Sequence, residues 1–253
     1  MITRFIFQAT VPEGIVACAS WGHWLYSALM EFLPQEVAEA YHQQGMTPFS
    51  QYLLPGKEKN SATWVVNLLT EEVETLLVPT LKKCTSIFLR ELSCPMALRM
   101  EQEEYIAQPE VLLDRAAAMD DRSCHSVRFL TPTSFKHNGR YQIFPEIHSI
   151  LWSLVQKWNQ VAPDYALTDQ YALRLLEERL WIRDYRLQSC RFELKGQKVP
   201  GFVGSVWIQN RLPASLIEIW RILIVFSQYS GVGMKTALGM GGISLLLYHR
   251  SIM

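Results

Sequence analysis

Gln228–Leu246 reads QYSGVGMKTALGMGGISLL, and five glycines, Gly231, Gly233, Gly239, Gly241 and Gly242, fall within twelve of its residues. Glycine clustered this way lets the main chain take positive φ and lets a second backbone come close. Lys235 and Thr236 add a cation and a hydroxyl beside exposed amides, a combination suited to phosphate. An apolar, helix-like segment (Leu216–Phe226) precedes the loop and a strand-like run (Ile243–Tyr248) follows it. The order helix, loop, strand is the reverse of a nucleotide-binding loop, which wants the strand first. Met234 stands where a Walker loop needs glycine before Lys-Ser/Thr, and Thr236 occupies the third glycine position of G-x-G-x-x-G. Two readings stay open on the residues alone: a phosphate-contacting loop, or a turn that only lets two elements pack.

Working outward, 253 residues suit one large domain or two small ones, and 49% hydrophobic residues supply a core without covalent staples. Cys18, Cys84, Cys94, Cys124 and Cys190 are scattered, with no C-x-x-C and no Cys/His cluster. That points away from a zinc site or a disulfide framework and towards a reducing, cytoplasmic setting. The start, Met-Ile-Thr-Arg-Phe, has no signal-peptide pattern, and the apolar run Ile217–Phe226 is short and carries Glu218 and Arg221, so no membrane span is expected. Net charge is +0, but residues 1–120 hold 8 Lys+Arg and 15 Asp+Glu (−7), and residues 121–253 hold 16 and 9 (+7). A neutral chain can still present a basic face in this way, although uneven charge also lets two domains attract each other.

Along the first half, Thr3–Thr10 alternates Phe5, Phe7 and Ala9 against Arg4, Ile6 and Gln8, the period of a strand. Trp21–Leu33 has helical spacing, and after Pro34 a short helix spans Gln35–Gln43 and closes at Gly45. Ser50–Leu54 and Ala62–Leu69 read as strands around a Pro55-Gly56 turn. Thr70–Lys83 reads as a helix with Thr70 as N-cap before Glu71, Glu72 and Glu74. Ser86–Glu104 reads as strand, broken near Pro95. Gln108–Asp121 is weakly patterned and is the expected linker, with Val111–Ala118 able to form a helical turn or two.

The second half repeats the order. A strand covers Ser126–Pro132, His137–Arg140 makes a turn, and Pro145–Val161 is an amphipathic helix along Ile147, Ile150, Leu151, Leu154, Val155 and Trp158. Ala172–Trp181 runs from helix into strand, and Arg183–Leu194 and Val199–Gln209 form a hairpin at Lys195–Lys198. Leu216–Phe226, the glycine loop and the last strand complete it. The expectation is an α+β chain of two tandem ferredoxin-like (RRM-like) βαββαβ domains, residues 1–112 and 123–253.

Three stretches together resemble the CRISPR-associated endoribonucleases that process repeat-containing precursor RNA, within the RAMP superfamily. They are the glycine loop, RFLTPTSFKHNGRYQIFPEIHSILWSLVQKWN (Arg128–Asn159) and LYSALMEFLPQEVAEAYHQQGMTPFSQYLL (Leu25–Leu54). The resemblance implies a cut with neither metal nor cofactor, in which a 2′-hydroxyl attacks the adjacent phosphorus and leaves a 2′,3′-cyclic phosphate and a 5′-hydroxyl. Such chemistry asks for a base, an acid and positive charge on the phosphate, and histidine is the natural proton carrier near neutrality.

Of the six histidines, His42 matches the family's catalytic position; on the residues alone it reads as an ordinary helix-end histidine. His23 is a second proton carrier or a residue packed beside Trp24. His137 reads as solvated and His148 as structural; His125 and His249 are assigned no role. Tyr26 lies close to the family's catalytic tyrosine, with Ser27 or Met30 as other candidates for that position. The family's lysine soon after the histidine is missing, which leaves Lys57, Lys59 or Lys235 to steady the phosphate, and Met240 replaces an aromatic residue in the loop. Gly231, Gly233, Lys235, Thr236, Gly239 and Gly241 of the loop, with Arg183 and Arg191 of the hairpin, are the expected RNA contacts. Alternatively, the two arginines make a solvated edge that discourages strand pairing.

The expected partners are CRISPR repeat RNA, as precursor and as processed guide, with CRISPR effector-complex subunits and a second copy of the chain as further candidates. The rival readings are a non-catalytic guide-RNA-binding subunit of the same superfamily and an adaptor that touches only proteins.

Overall fold

The structure, a computed structural model, describes residues 1–44, 47–119 and 123–245, with backbone alone at 42–44. The first half runs β1 (Ile2–Thr10), α1 (Gly22–Glu31), α2 (Gln35–Gln44), β2 (Phe49–Pro55), β3 (Ser61–Leu68), α3 (Glu71–Leu81), β4 (Ser86–Leu89) and β5 (Cys94–Ile106). After α4 (Pro109–Ala117) come β6 (Cys124–Thr133), the hairpin β7 (Phe135–His137) and β8 (Arg140–Gln142), then α5 (Ile147–Val161) and α6 (Gln170–Arg179). β9 (Leu180–Leu194), β10 (Gln197–Asn210), α7 (Ala214–Ser230) and β11 (Ile243–Leu245) follow.

The antiparallel sheets have the orders β2-β3-β1-β5-β4 and β11-β6-β10-β9. With β4 set aside as an added edge strand, both give the same arrangement, the first strand lying between the third and the last. This is the ferredoxin-like order twice, and the chain is α+β as its pattern implies.

Strand alternation places the cores. Phe5, Phe7 and Ala9 of β1 are buried with Trp64, Leu25, Leu29 and Leu77 in the first half. Phe129, Val206, Leu151, Leu154, Trp220 and Phe226 centre the second. The apolar stripe of α5 is buried at Ile150, Leu151, Leu154, Val155 and Trp158. The turns follow from local chemistry: Asn138-Gly139 and Lys195-Gly196 all have positive φ, which two-residue hairpins require.

Two local expectations, the Thr70 cap and the linker, need correction. Thr70 takes the N-cap position of α3 with extended backbone, yet its side chain caps nothing, and its Oγ1 is buried without a partner. The carboxylate of Glu74, in that first turn, instead accepts a hydrogen bond from Thr3 Oγ1. The break expected near Pro95 falls at the short turn Arg90–Leu92 and left-handed Ser93, just ahead of it; Pro95 itself lies in β5 opposite Phe88. The expected linker contains a helix longer than a turn or two, α4, which buries Leu112 and Ala116 in the core of the second half. Gly45 and His249 lie outside the described residues.

The halves are bound by polar contacts around one end of α7. Arg4 Nε donates to Asn67 Oδ1 at 2.7 Å, while its guanidinium stacks 4.2 Å from the Tyr229 ring centroid and donates to the Gln228 carbonyl. Arg115 reaches Glu104 at 2.5 Å, and the Tyr229 hydroxyl donates to the same carboxylate at 3.2 Å.

His125, left without a role, is a core histidine: Trp220 Nε1 donates to its Nδ1 at 3.2 Å. Burial, then the nearby Arg221 cation, pulls its pKa down to about 4. The unfolded chain therefore binds a proton below the usual histidine range that the folded chain refuses. Stability is full above about pH 6.5 and falls as pH drops towards 4, by roughly 2–3 kcal/mol for this group. Urea titrations of wild type and His125→Gln across that window check it: the acid-side slope is shallower in the variant.

Candidate functional site

Two backbones meet at the centre of the molecule. A Cβ on Gly22, at the start of α1, would lie 2.7 Å from both the Gly239 Cα and the Leu238 carbonyl oxygen, so only glycine permits this approach. Gly241 holds φ +70°, and a Cβ there would lie 2.1 Å from the Val232 carbonyl oxygen. Gln51 Nε2 ties the two sides, donating to the Gly22 carbonyl at 2.6 Å and the Ala237 carbonyl at 2.8 Å; its own oxygen accepts from Trp64 Nε1 at 3.0 Å. Ala237 is itself buried in the core of the first half.

The glycine loop is folded by its own amides. Val232 N donates to Gly241 O at 2.9 Å, Met234 N to Ser134 O at 3.0 Å, and Gly241 N to Pro132 O at 3.1 Å. Lys235 takes a left-handed conformation, φ +59°, ahead of the short helical turn Thr236–Leu238. That geometry turns residues 233–238 towards a groove of about 740 Å³ between the halves.

The groove is lined by His23 and Tyr26 of α1 and Tyr41 of α2, and by the loop, α5 and β7. His23 Nδ1 lies 2.6 Å from the Ser20 carbonyl, which can only accept, so Nδ1 carries the proton of the neutral ring. Nε2 is then the lone pair available as a base. The ring also packs at 5.4 Å from Trp24, the packing that one sequence reading of His23 expects. Tyr26 packs at 5.9 Å from Phe49, and burial raises its pKa, which keeps the phenol protonated at neutral pH. Tyr41 is pushed up to about 12, first by burial and then by the Glu72 charge.

His42 follows Tyr41 on α2, and Tyr41 and Thr47 both border the groove. The His42 side chain lies outside the described residues.

Of the expected RNA contacts, Gly233, Lys235 and Thr236 line the groove. Gly231 and Gly241 serve the loop's own packing and Gly239 its approach to Gly22, each at positive φ. Arg183 and Arg191 are exposed on β9, outside the groove lining, and Arg183 Nη1 donates to Gln209 Oε1 at 3.4 Å. Lys57 and Lys59 are likewise absent from the lining. Met240 is buried against Phe192 and Val199.

Sequence reasoning gave no groove role to Lys136, Lys157 or Lys195, which all line it. Lys157 carried a signal: it falls on the apolar stripe of α5, three residues after Leu154 and seven after Ile150. The other two are brought in by hairpins, Lys136 on β7 and Lys195 at the β9–β10 turn. His137 also lines the groove, as does His148, which pairs with Glu177 at 3.0 Å. Among the described residues no group of three or more His, Cys, Asp or Glu side chains could hold a metal ion, and no helix is long and apolar enough to cross a membrane.

The family model described as CRISPR-associated endoribonuclease Cas6 matches residues 127–243. The chain is 34% identical over 217 residues to the Cas6 endoribonuclease of Streptococcus thermophilus, covering 86% of this chain and 88% of that one. It is 27% identical over 241 residues to the Mycobacterium tuberculosis Cas6 endoribonuclease, covering 93% and 75%. Among solved structures, a Cas6 product complex superposes with TM-score 0.77 at 23% identity over 98% of this chain and 100% of that one. Thermus thermophilus Cas6 superposes at 0.71 and 23% identity over 97% and 98%. At these identities the structural likeness speaks for the fold.

Proposed function

The chain belongs to the CRISPR-associated endoribonuclease Cas6 family, and from that premise we propose that it cuts CRISPR repeat RNA in precursor transcripts, at the groove between its two halves, without a metal ion. The observation that carries this reading is the shared groove. The α1 face with His23 and Tyr26 and the glycine loop with Lys235 and Thr236 line one space.

In the proposed reaction the 2′-hydroxyl gives its proton to His23 Nε2 as the 2′-oxygen attacks phosphorus. The P–O5′ bond breaks, and His42, at the position the family uses for catalysis, delivers a proton to the leaving 5′ oxygen. The products are a 2′,3′-cyclic phosphate and a 5′-hydroxyl. Tyr26, protonated, donates a hydrogen bond to a non-bridging oxygen, and Lys235 supplies from the loop the charge that the missing lysine does not.

The test is cleavage of the cognate repeat RNA in EDTA. The expected result is one cut, blocked by a single 2′-deoxy substitution at the attacking nucleotide, with a cyclic phosphate on the upstream fragment. A requirement for Mg²⁺, or a 5′-phosphate product, contradicts the reading. Specific binding without any cut transfers the case to a non-catalytic guide-RNA holder.

His23→Ala is expected to slow single-turnover cutting by about 10²-fold, the lower range for losing a positioned proton carrier. Arg183 and Arg191, on the long ribbon outside the groove, are assigned to RNA phosphates beyond the cut site. Alanine at either should weaken binding regardless of sequence and reduce the slope of log K against log salt by about 1. An unchanged slope assigns them to a solvated edge instead. The same reading expects the processed guide to be retained, a cytoplasmic setting, and effector-complex subunits or a second copy of the chain as protein partners. Sedimentation with and without RNA reads the last of these.

A further inference from the structure

Lys157 sits on the core-facing stripe of α5, where an apolar residue would be expected, and its side chain is buried. Its Nζ donates to three carbonyls of one segment: Ser230 at 3.3 Å, Gly231 at 3.0 Å and Gly233 at 3.2 Å. An ammonium has three N–H donors, and all three are directed at the start of the glycine loop. One turn earlier on the same helix, Ser153 Oγ accepts from Gly233 N at 2.8 Å. α5 therefore grips Gly233 by both its N–H and its carbonyl.

Among the described residues no carboxylate pairs with Lys157. Burial alone pulls its pKa down to about 7, so keeping the cation there opposes folding. Its use must lie in what it holds. The loop has two anchors: at its far end Gly239 rests on Gly22 of α1, and at its near end the chain is fixed to α5 through Lys157. The segment between them, Met234–Leu238, lines the groove throughout.

We propose that Lys157 is the positioning residue of the glycine loop, fixing its near end so that Lys235 and Thr236 meet the same nucleotide as the α1 side chains. The inference rests on the proposed reading of the groove. Lys157 touches loop carbonyls and acts on the RNA only through them.

The test compares wild type, Lys157→Met and Lys157→Arg. Binding is read with repeat RNA carrying the blocking 2′-deoxy nucleotide, and cutting as a single-turnover rate at saturating enzyme. Melting temperature is recorded for each. Lys157→Met is expected to keep a melting temperature at or above wild type, to bind with Kd raised about threefold, and to cut about 10²-fold more slowly. Lys157→Arg, which keeps the cation and its donors, is expected to cut faster than Lys157→Met. Wild-type cutting by both variants overturns the proposal. So does a loss of rate that only tracks the folded fraction, since a merely structural lysine would give that. If Lys157→Met does not fold, Lys157→Gln decides, read per folded molecule: cutting slowed by about tenfold or more supports the proposal, and the wild-type rate per folded molecule overturns it. A wild-type protein that leaves repeat RNA uncut rejects the reading of the groove itself, so the two failures are separable.

Discussion

Alanine at His42 is expected to lower the single-turnover rate of repeat cleavage by about 10²–10⁴-fold, the range for removing a positioned general acid or base. Binding of the uncleavable repeat should stay within about threefold, because a proton carrier acts mainly in the transition state. Tyr41 and Thr47, on either side of His42 along the chain, border the groove that also holds His23 and the glycine loop. Loss of cutting with binding kept is the result the account expects. Unchanged cutting removes His42 from the reaction and leaves His23 and Tyr26 to carry the proton transfers. Combining His42→Ala with His23→Ala should cost far less than the product of the two single losses, because groups serving one proton pathway act as a unit.

The second large effect comes from a residue that takes no part in the chemistry. Gly22→Ala puts a methyl 2.7 Å from Gly239 Cα and Leu238 O, both main-chain atoms that cannot rotate aside. α1 and the loop must move apart. Overpacking of this kind costs about 1–3 kcal/mol of stability. The larger consequence is for the reaction: a displacement near 1 Å between the α1 side chains and the loop is expected to slow cutting by about 10²-fold. The check is cleavage rate per folded molecule, with the folded fraction fixed by a melt. A variant that is merely less stable, yet cuts at the wild-type rate once folded, shows that the close approach of Gly22 and Gly239 does not set the site.

Much of the architecture could be read from periodicity. The alternation Phe5, Phe7, Ala9 fixes which face of β1 is buried, and the 3.6-residue stripe from Ile147 to Trp158 fixes α5. The order of elements in each half then allowed the ferredoxin-like arrangement to be named. α4 was harder to read, because only Leu112 and Ala116 of that short helix are buried, too few to show a period. Thr70 had the right residue type for a cap, but tertiary contact won: Glu74 bonds to Thr3, and the threonine hydroxyl is buried without a partner.

The site was legible in part. Glycine clustering marked the loop, and six residues of it line the groove. What no local pattern encodes is which distant side chains the loop will face. Lys136, His137 and Lys195 reach the groove only because two hairpins fold over it, whereas Arg183 and Arg191, prominent in the sequence for their charge, stand outside it. Lys157 breaks the apolar stripe of α5, and that break was the sign of a buried cation with carbonyl partners.

The most direct trial of the central claim is a structure of the protein bound to its repeat RNA with a 2′-deoxy nucleotide at the cut. The account predicts that the scissile phosphate lies between the halves, within hydrogen-bonding distance of an α1 or α2 imidazole on one side and of Lys235 or Thr236 on the other. A scissile phosphate held by the loop but turned away from His23 and His42, or seated on the β9–β10 ribbon, contradicts it.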